Sequence, residues 1–287
     1  MSKEGNEPRD RKEHDQSRRH FLTSMGALAV GAAAGSYAMA GVATASTQEA
    51  PGLPWTYKPL DPEKVGKLAH LGYYKAECCY GVFSALVDSL KEAVGFPYTT
   101  IPTHMMHYGG GGVSGWCTLC GALNGACAAI NLVSDKEKEL CDELLKWYAQ
   151  TPLPSQASNE MAVNHAFLVD KYKSDIMLPQ TVSNSPLCHN SVTVWCKASG
   201  FASGSSERSE RCARACADVA AFTTEMLNKA HAGQFTPAYA YSETTQRCRA
   251  CHHKGKDFEA GQWTRGKMHC AGCHSKGVAE LVGSEHP

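Results

Sequence analysis

Two short motifs near the C-terminus carry the most specific chemistry in the chain. Cys248-Arg249-Ala250-Cys251-His252 and Cys270-Ala271-Gly272-Cys273-His274 both read C-x-x-C-H, the attachment sequence for c-type haem. In such a motif two thiols add across the haem vinyl groups, and the adjoining imidazole is held beneath the iron as its proximal ligand. Paired C-x-x-C spacing also fits a zinc ribbon, but a ribbon has no need of a histidine directly after each pair. Two haems c per chain are therefore expected, with Cys248, Cys251, Cys270 and Cys273 as thioether anchors and His252 and His274 as proximal ligands. A low-spin iron also needs a distal ligand, and His104, His107 and His231 are the candidates. The short link from His253 to His269 would hold the two haems close together.

Ten further cysteines lie upstream, part of a total of 14 in 287 residues. That exceeds what packing asks for, yet falls below the density of a small disulfide scaffold. Lys and Arg number 28 against 28 Asp and Glu, so nucleic acid is not the expected partner, because neutralising phosphates needs a basic surplus. A polar start carrying Ser17-Arg18-Arg19-His20-Phe21-Leu22 precedes a Gly- and Ala-rich stretch without charge, and Ala43-Thr44-Ala45 offers a small-residue cleavage pattern. This resembles a twin-arginine (Tat) export signal over residues 1–45, which implies a periplasmic protein with no stable membrane anchor after cleavage. In an oxidising compartment each thiol needs a partner.

The elements that must position these residues are helical. Apolar residues recur at Val65, Leu68, Leu71, Ala76, Cys79, Val82, Leu86 and Leu90, which predicts one amphipathic helix over 62–94, stopped by Gly95 and Pro97. Further helices are expected over 116–132, from a capping box at Ser134 and Glu137 to about Pro152, over 186–198 and over 207–230. Residues 151–186 read as a long loop with one or two helical turns. No strand pattern persists, so the fold class is mainly α: a cysteine-rich helical domain over 46–232, then a small irregular dihaem segment over 233–287 with little apolar periodicity of its own. On the helices Cys188 and Cys196, Cys212 and Cys216, and Cys117 and Cys120 each line one stripe, and four thiolates converging there could hold an iron–sulfur cluster. Plain core cysteine, disulfide and zinc are the rival readings of those ten residues.

The run Cys79-Tyr80-Gly81-Val82, Gly109-Gly110-Gly111-Gly112, Cys120-Gly121-Ala122-Leu123-Asn124-Gly125, then Cys196 and Cys212 or Cys216, resembles the cysteine-rich family written C_GCAxxG_C_C. With the two C-x-x-C-H motifs appended, it is similar to the split-Soret cytochrome c branch of that family. Here the family's GCA reads Cys120-Gly121-Ala122, so the matching cysteine is either Cys117 or Cys120. The resemblance implies a periplasmic homodimer that exchanges electrons with redox partner proteins. It further implies two bis-histidine haems per subunit, stacked at one end, an axial histidine crossing between subunits, and an iron–sulfur centre of 2Fe-2S or 4Fe-4S type. Its ligands would come from Cys120, Cys188, Cys196 and Cys212, with Cys79, Cys117 and Cys216 as substitutes. Electron transfer is the expected function. The alternative is a haem-dependent oxidoreductase that acts on a small substrate through an open iron position.

Overall fold

The computed structural model describes residues 49–252, 266–272 and 274. The expected export signal, Cys273 and the Cys251 side chain lie outside what is described. Asp61 starts the first helix, accepting hydrogen bonds from the backbone N–H groups of Glu63 (2.9 Å) and Lys64 (3.3 Å), while Pro62 pre-sets the first turn. This helix, α1 (Pro62–Val94), ends at Gly95. Two 3₁₀ turns, Tyr98–Thr100 and Thr103–Gly109, lead into the glycine loop. Then follow α2 (Gly121–Val133), α3 (Glu137–Gln150), α4 (Gln156–Val163), α5 (Cys188–Ser199), α6 (Ser206–His231) and α7 (Glu243–His252), with a last 3₁₀ turn at Cys270–Gly272. Among the described residues there is no strand, only two isolated bridges, so the mainly α expectation holds. No described helix is long and apolar enough to cross a membrane.

α1 departs from the single straight helix that its apolar periodicity predicts. Ala76 (φ −155°) and Glu77 (φ 63°, ψ −170°) leave the helical region, and the helix restarts at Cys78. Residues 72 and 81 would stand about 13 Å apart along a straight helix. Instead their backbones meet: a Cβ added at Gly72 would lie 2.7 Å from the Gly81 Cα, and one at Gly81 2.7 Å from the Tyr73 nitrogen. Only glycine at both positions lets the two halves fold against each other. Glu77 adopts a conformation that glycine alone takes without strain, at a cost of about 1–3 kcal/mol.

The core forms where α1 packs against α6 and α2. Val82, Leu86 and Leu90 of α1 meet Leu123, Ala126 and Ile130 of α2, Leu140 and Leu144 of α3, and Ala213, Val219 and Ala220 of α6. A buried ionic network fastens the first half of α1 to α6. Glu210 accepts from His70 Nε2 (2.9 Å), Arg214 Nε (3.1 Å) and the Tyr74 hydroxyl. Burial alone would raise the Glu210 carboxyl, but these partners outweigh it and hold it low. Arg214 also donates to the carbonyls of Ser174 (2.7 Å) and Ile176 (2.8 Å), which ties the loop after α4 over the helix pair.

Three local expectations are corrected. The helix expected over 116–132 begins only at Gly121, because Val113, Ser114 and Cys117 hold positive φ. The capping box at Ser134 does not form: the Ser134 hydroxyl accepts from the Lys136 N–H (3.1 Å), and α3 starts at Glu137 without a side-chain cap. The segment after 233 contains α7, whose first turn is held where Ser242 accepts from the Thr245 N–H (3.2 Å).

Two outcomes follow from this packing. Gly81→Val should lower unfolding free energy by about 3 kcal/mol or more, because backbone atoms cannot yield to the new Cβ, whereas Gly204→Ala, with nothing nearby, should stay within about 0.5 kcal/mol. Urea denaturation of both variants measures this. Asp218 accepts from Ser155 N–H (2.8 Å) and from the hydroxyls of Ser155 (2.5 Å) and Ser158 (3.1 Å), and burial pushes its carboxyl up to about 6. The native chain then binds this proton more tightly than the unfolded chain, so the stability it contributes at low pH is lost as pH rises from about 4 to about 6. Asp218→Asn should remove that fall, seen as a Tm gain over the parent that grows across this pH window.

Candidate functional site

A cavity of about 360 Å³ opens between α1, α2, α5 and α6, and five thiols line it: Cys78, Cys120, Cys188, Cys212 and Cys216. Each arrives by a different device. The break in α1 makes Cys78 the first residue of the restarted helix. Cys120 is the N-cap of α2 and Cys188 the first residue of α5. A short antiparallel bridge sets these two side by side: Cys120 N–H donates to the Pro186 carbonyl (2.9 Å), Cys188 N–H to Thr118 (2.7 Å), and His189 N–H to Cys117 (3.1 Å). Cys212 and Cys216 lie one turn apart on α6, and Cys216 donates to the Cys78 carbonyl (3.8 Å).

The approach is close enough to demand glycine at Gly121. A Cβ there would collide with the Cys78 sulfur and lie 2.5 Å from the Gly109 carbonyl oxygen. This accounts for the glycine next to Cys120 in the Cys-Gly-Ala run.

Positive potential converges on the thiols. Three helix N-termini, at Cys78, Cys120 and Cys188, face the same space and each favours negative charge. Arg211 is 2 % exposed and lines the cavity; its Nη2 donates to Ser191 Oγ (2.8 Å), which also bonds the Tyr148 hydroxyl (2.7 Å). Its Nε has no partner. Burial works against the Arg211 charge, but Tyr148, Cys212 and Cys120 more than offset it, and the guanidinium is held above its usual range. Arg208 behaves likewise, through Cys212 and Tyr73. Burial raises Cys78, Cys120, Cys188 and Cys216, and pushes Cys79 up to about 12. The groups around Arg211 offset its burial only when ionised, and burial drives Cys120 and Tyr148 toward their neutral forms, which leaves the guanidinium short of negative charge. Ligation of an iron–sulfur group would strip the protons from the thiols and supply the negative charge, so the residues present fit such a group.

Of the four expected cluster ligands, Cys120, Cys188 and Cys212 meet at the cavity, whereas Cys196 stands outside its lining. Cys216, a named substitute, lines it. Cys79 is buried, and Cys117 is an electrostatic neighbour of Cys188. Cys78 went unnamed in the sequence analysis, where the periodicity of a straight helix put Cys79 on the inner face. Among the described residues no three His, Cys, Asp or Glu side chains close on a single metal ion, so the thiols surround a space instead of a point.

The C-terminal motifs sit on α7 and the turn after it. Cys248 and His252, four residues apart, share one helix face. The Cys270 thiol is an electrostatic neighbour of Cys248, so the first cysteines of the two motifs adjoin. Tyr241 lies between Lys146 and Arg249, each 5.0 Å from its ring centre, and Lys267 pairs with Asp142 (2.8 Å), which docks this segment on α3. His104 and His107 are exposed on the 3₁₀ turn Thr103–Gly109, their rings 5.3 Å apart, and His107 reaches the cavity mouth. His231 is exposed at the end of α6, edge-on to Tyr57.

Residues 76–226 match the family described as "Putative redox-active protein (C_GCAxxG_C_C)". Split-Soret cytochrome c of Desulfovibrio desulfuricans is 34 % identical over 269 residues, covering 88 % of this chain and 92 % of its own. The chain belongs to this family, within its split-Soret cytochrome c branch. A solved structure of the D. desulfuricans protein, described as holding a novel iron centre, superposes with a TM-score of 0.65 and covers 81 % of this chain and 95 % of its own. A cytochrome c redox role with haem and iron cofactors is thereby supported for this chain as well.

Serine in place of Cys78 or Cys120 should lower non-haem iron severalfold with haem content unchanged, whereas Cys196→Ser should leave both as in the parent. Colorimetric iron determination beside a pyridine haemochrome assay separates these outcomes.

Proposed function

We propose that the chain is a periplasmic electron carrier that holds two haems c at its C-terminal motifs and an iron–sulfur centre in the thiol cavity. The observation that carries the second part is the buried, half-satisfied Arg211 guanidinium aimed at a space walled by five thiols. A thiolate-bound cluster supplies one-electron redox chemistry and net negative charge at that place. Cys78, Cys120, Cys188, Cys212 and Cys216 are the pool from which its ligands come. Arg211 compensates the charge, and the apolar packing of α1, α2 and α6 behind the thiols excludes water.

The haem part rests on the motifs themselves and on the adjacency of Cys248 and Cys270, which places the two attachment points together. Ser242 holds His269 by its Nδ1 (2.8 Å), fixing the residue directly before the second motif. The Tat-like residues 1–45 support export. A homodimer fits an apolar surface around the distal candidates His104 and His107: Met105 is 61 % and Trp116 80 % exposed, with Tyr108 and Val113 also exposed. His104 or His107 then reaches a haem of the second copy, and His231 is the remaining distal candidate.

Redox titration of the purified full chain tests the reading. Two haems by pyridine haemochrome, a divided Soret band and a cluster signal in low-temperature electron paramagnetic resonance are expected; zinc in place of cluster iron overturns it. In Arg211→Gln the cluster potential should fall by roughly 60 mV or more, a tenfold change in the oxidised-to-reduced ratio, with the haem potentials unmoved.

A further inference from the structure

Of the 14 cysteines, four belong to the C-x-x-C-H motifs, seven line or adjoin the cavity, and Cys196 stands outside its lining within electrostatic reach of Cys212. Cys127 and Cys141 belong to neither. Cys127 is on α2 and Cys141 on α3, two helices that pack together and are joined by residues 134–136 alone. Cys127 lies six residues before the end of α2 and Cys141 four after the start of α3, so they stand about 9 and 6 Å from the turn, at similar heights. Both are partly buried against the core. The two thiols are near enough for each to be the other's principal electrostatic neighbour.

We propose that Cys127 and Cys141 form a dithiol–disulfide pair that closes reversibly and staples α2 to α3. The neighbouring Cys127 thiol lowers the Cys141 thiol below its usual range, against burial and the charges of Glu137 and Asp142. Cys141, in the second turn from the N-terminus of α3, is the attacking thiolate, and Cys127, in the middle of α2, is the resolving thiol. The oxidant is a small or protein disulfide. Cys141 sulfur bonds to one of its sulfurs, the S–S bond breaks, and one thiolate leaves. Cys127 gives its proton to solvent and attacks the Cys141 sulfur of the mixed disulfide, expelling the second thiolate. The pair loses two electrons and two protons, and the oxidant gains them as two thiols. Because α2 opens at Cys120 and α3 carries Tyr148, the staple joins two of the elements that wall the cavity.

The test equilibrates the purified full-length holoprotein in glutathione buffers of rising oxidised-to-reduced ratio. Acid quenching, differential alkylation before and after reduction, and peptide mass spectrometry then locate each bond. A Cys127–Cys141 linked peptide appearing in one two-electron transition supports the proposal. So does a glutathione adduct at Cys141 in Cys127→Ser, about tenfold above the level in the parent. Two free thiols, a separate glutathione on each, or a bond from either to another cysteine in the most oxidising buffer would overturn it. The cavity's cofactor plays no part in the readout, since haem and cluster spectra are followed in the same samples and report on that site separately.

Discussion

A guanidinium in the protein interior costs several kcal/mol unless negative charge meets it. Arg211 is such a group: its Nη2 serves Ser191, and its Nε–H has no partner. The rest of the cavity amplifies the demand: three helix N-termini and Arg208 add positive potential to the same space. The thiols answer it only when ionised, yet burial drives the most enclosed of them toward the neutral form. Both difficulties would disappear together if metal displaced the thiol protons, and folding of this region would then be tied to metal binding.

Assembling the cavity requires backbone sacrifices at several distant points. The break at Ala76 and Glu77 turns the second half of α1 so that Cys78 leads it. The bridge between Leu119 and Leu187 joins segments separated by the whole of α2, α3 and α4. Glycine at 121 removes the one side chain that would keep α2 from the Cys78 sulfur. Each device is costly or non-local, and all serve one place. The segment that carries the C-x-x-C-H motifs is built differently, with its cysteine pairs close in sequence and a docking surface of two cations, Lys146 and Arg249, around Tyr241.

What could be read from sequence follows the same division. The C-x-x-C-H motifs stand out in the sequence because covalent attachment of haem c would fix residue types at fixed spacing, and α1, α5 and α6 were legible as helices because each has an apolar face. The stripe argument for Cys188 and Cys196 failed to put both at the cavity for a simple reason: eight residues of helix span about 12 Å, so only the N-terminal end of α5 reaches the thiols. Cys78 was missed because periodicity assumes a straight helix. Gly72 and Gly81, nine apart in an otherwise good helix, were the available sign of a sharp bend. Arg211 was hidden by its place on a charged stretch, Glu207 to Arg214, which reads as solvent-facing until α1 meets Glu210 and α5 meets Arg211.

The most direct measurement is an anomalous difference map of crystals of the holoprotein, collected on either side of the iron absorption edge. Iron density between Cys78, Cys120, Cys188 and Cys212, within reach of Arg211 and apart from two peaks at the C-terminal motifs, is the predicted result. A cavity that shows no iron while both haem irons are plain would contradict the account.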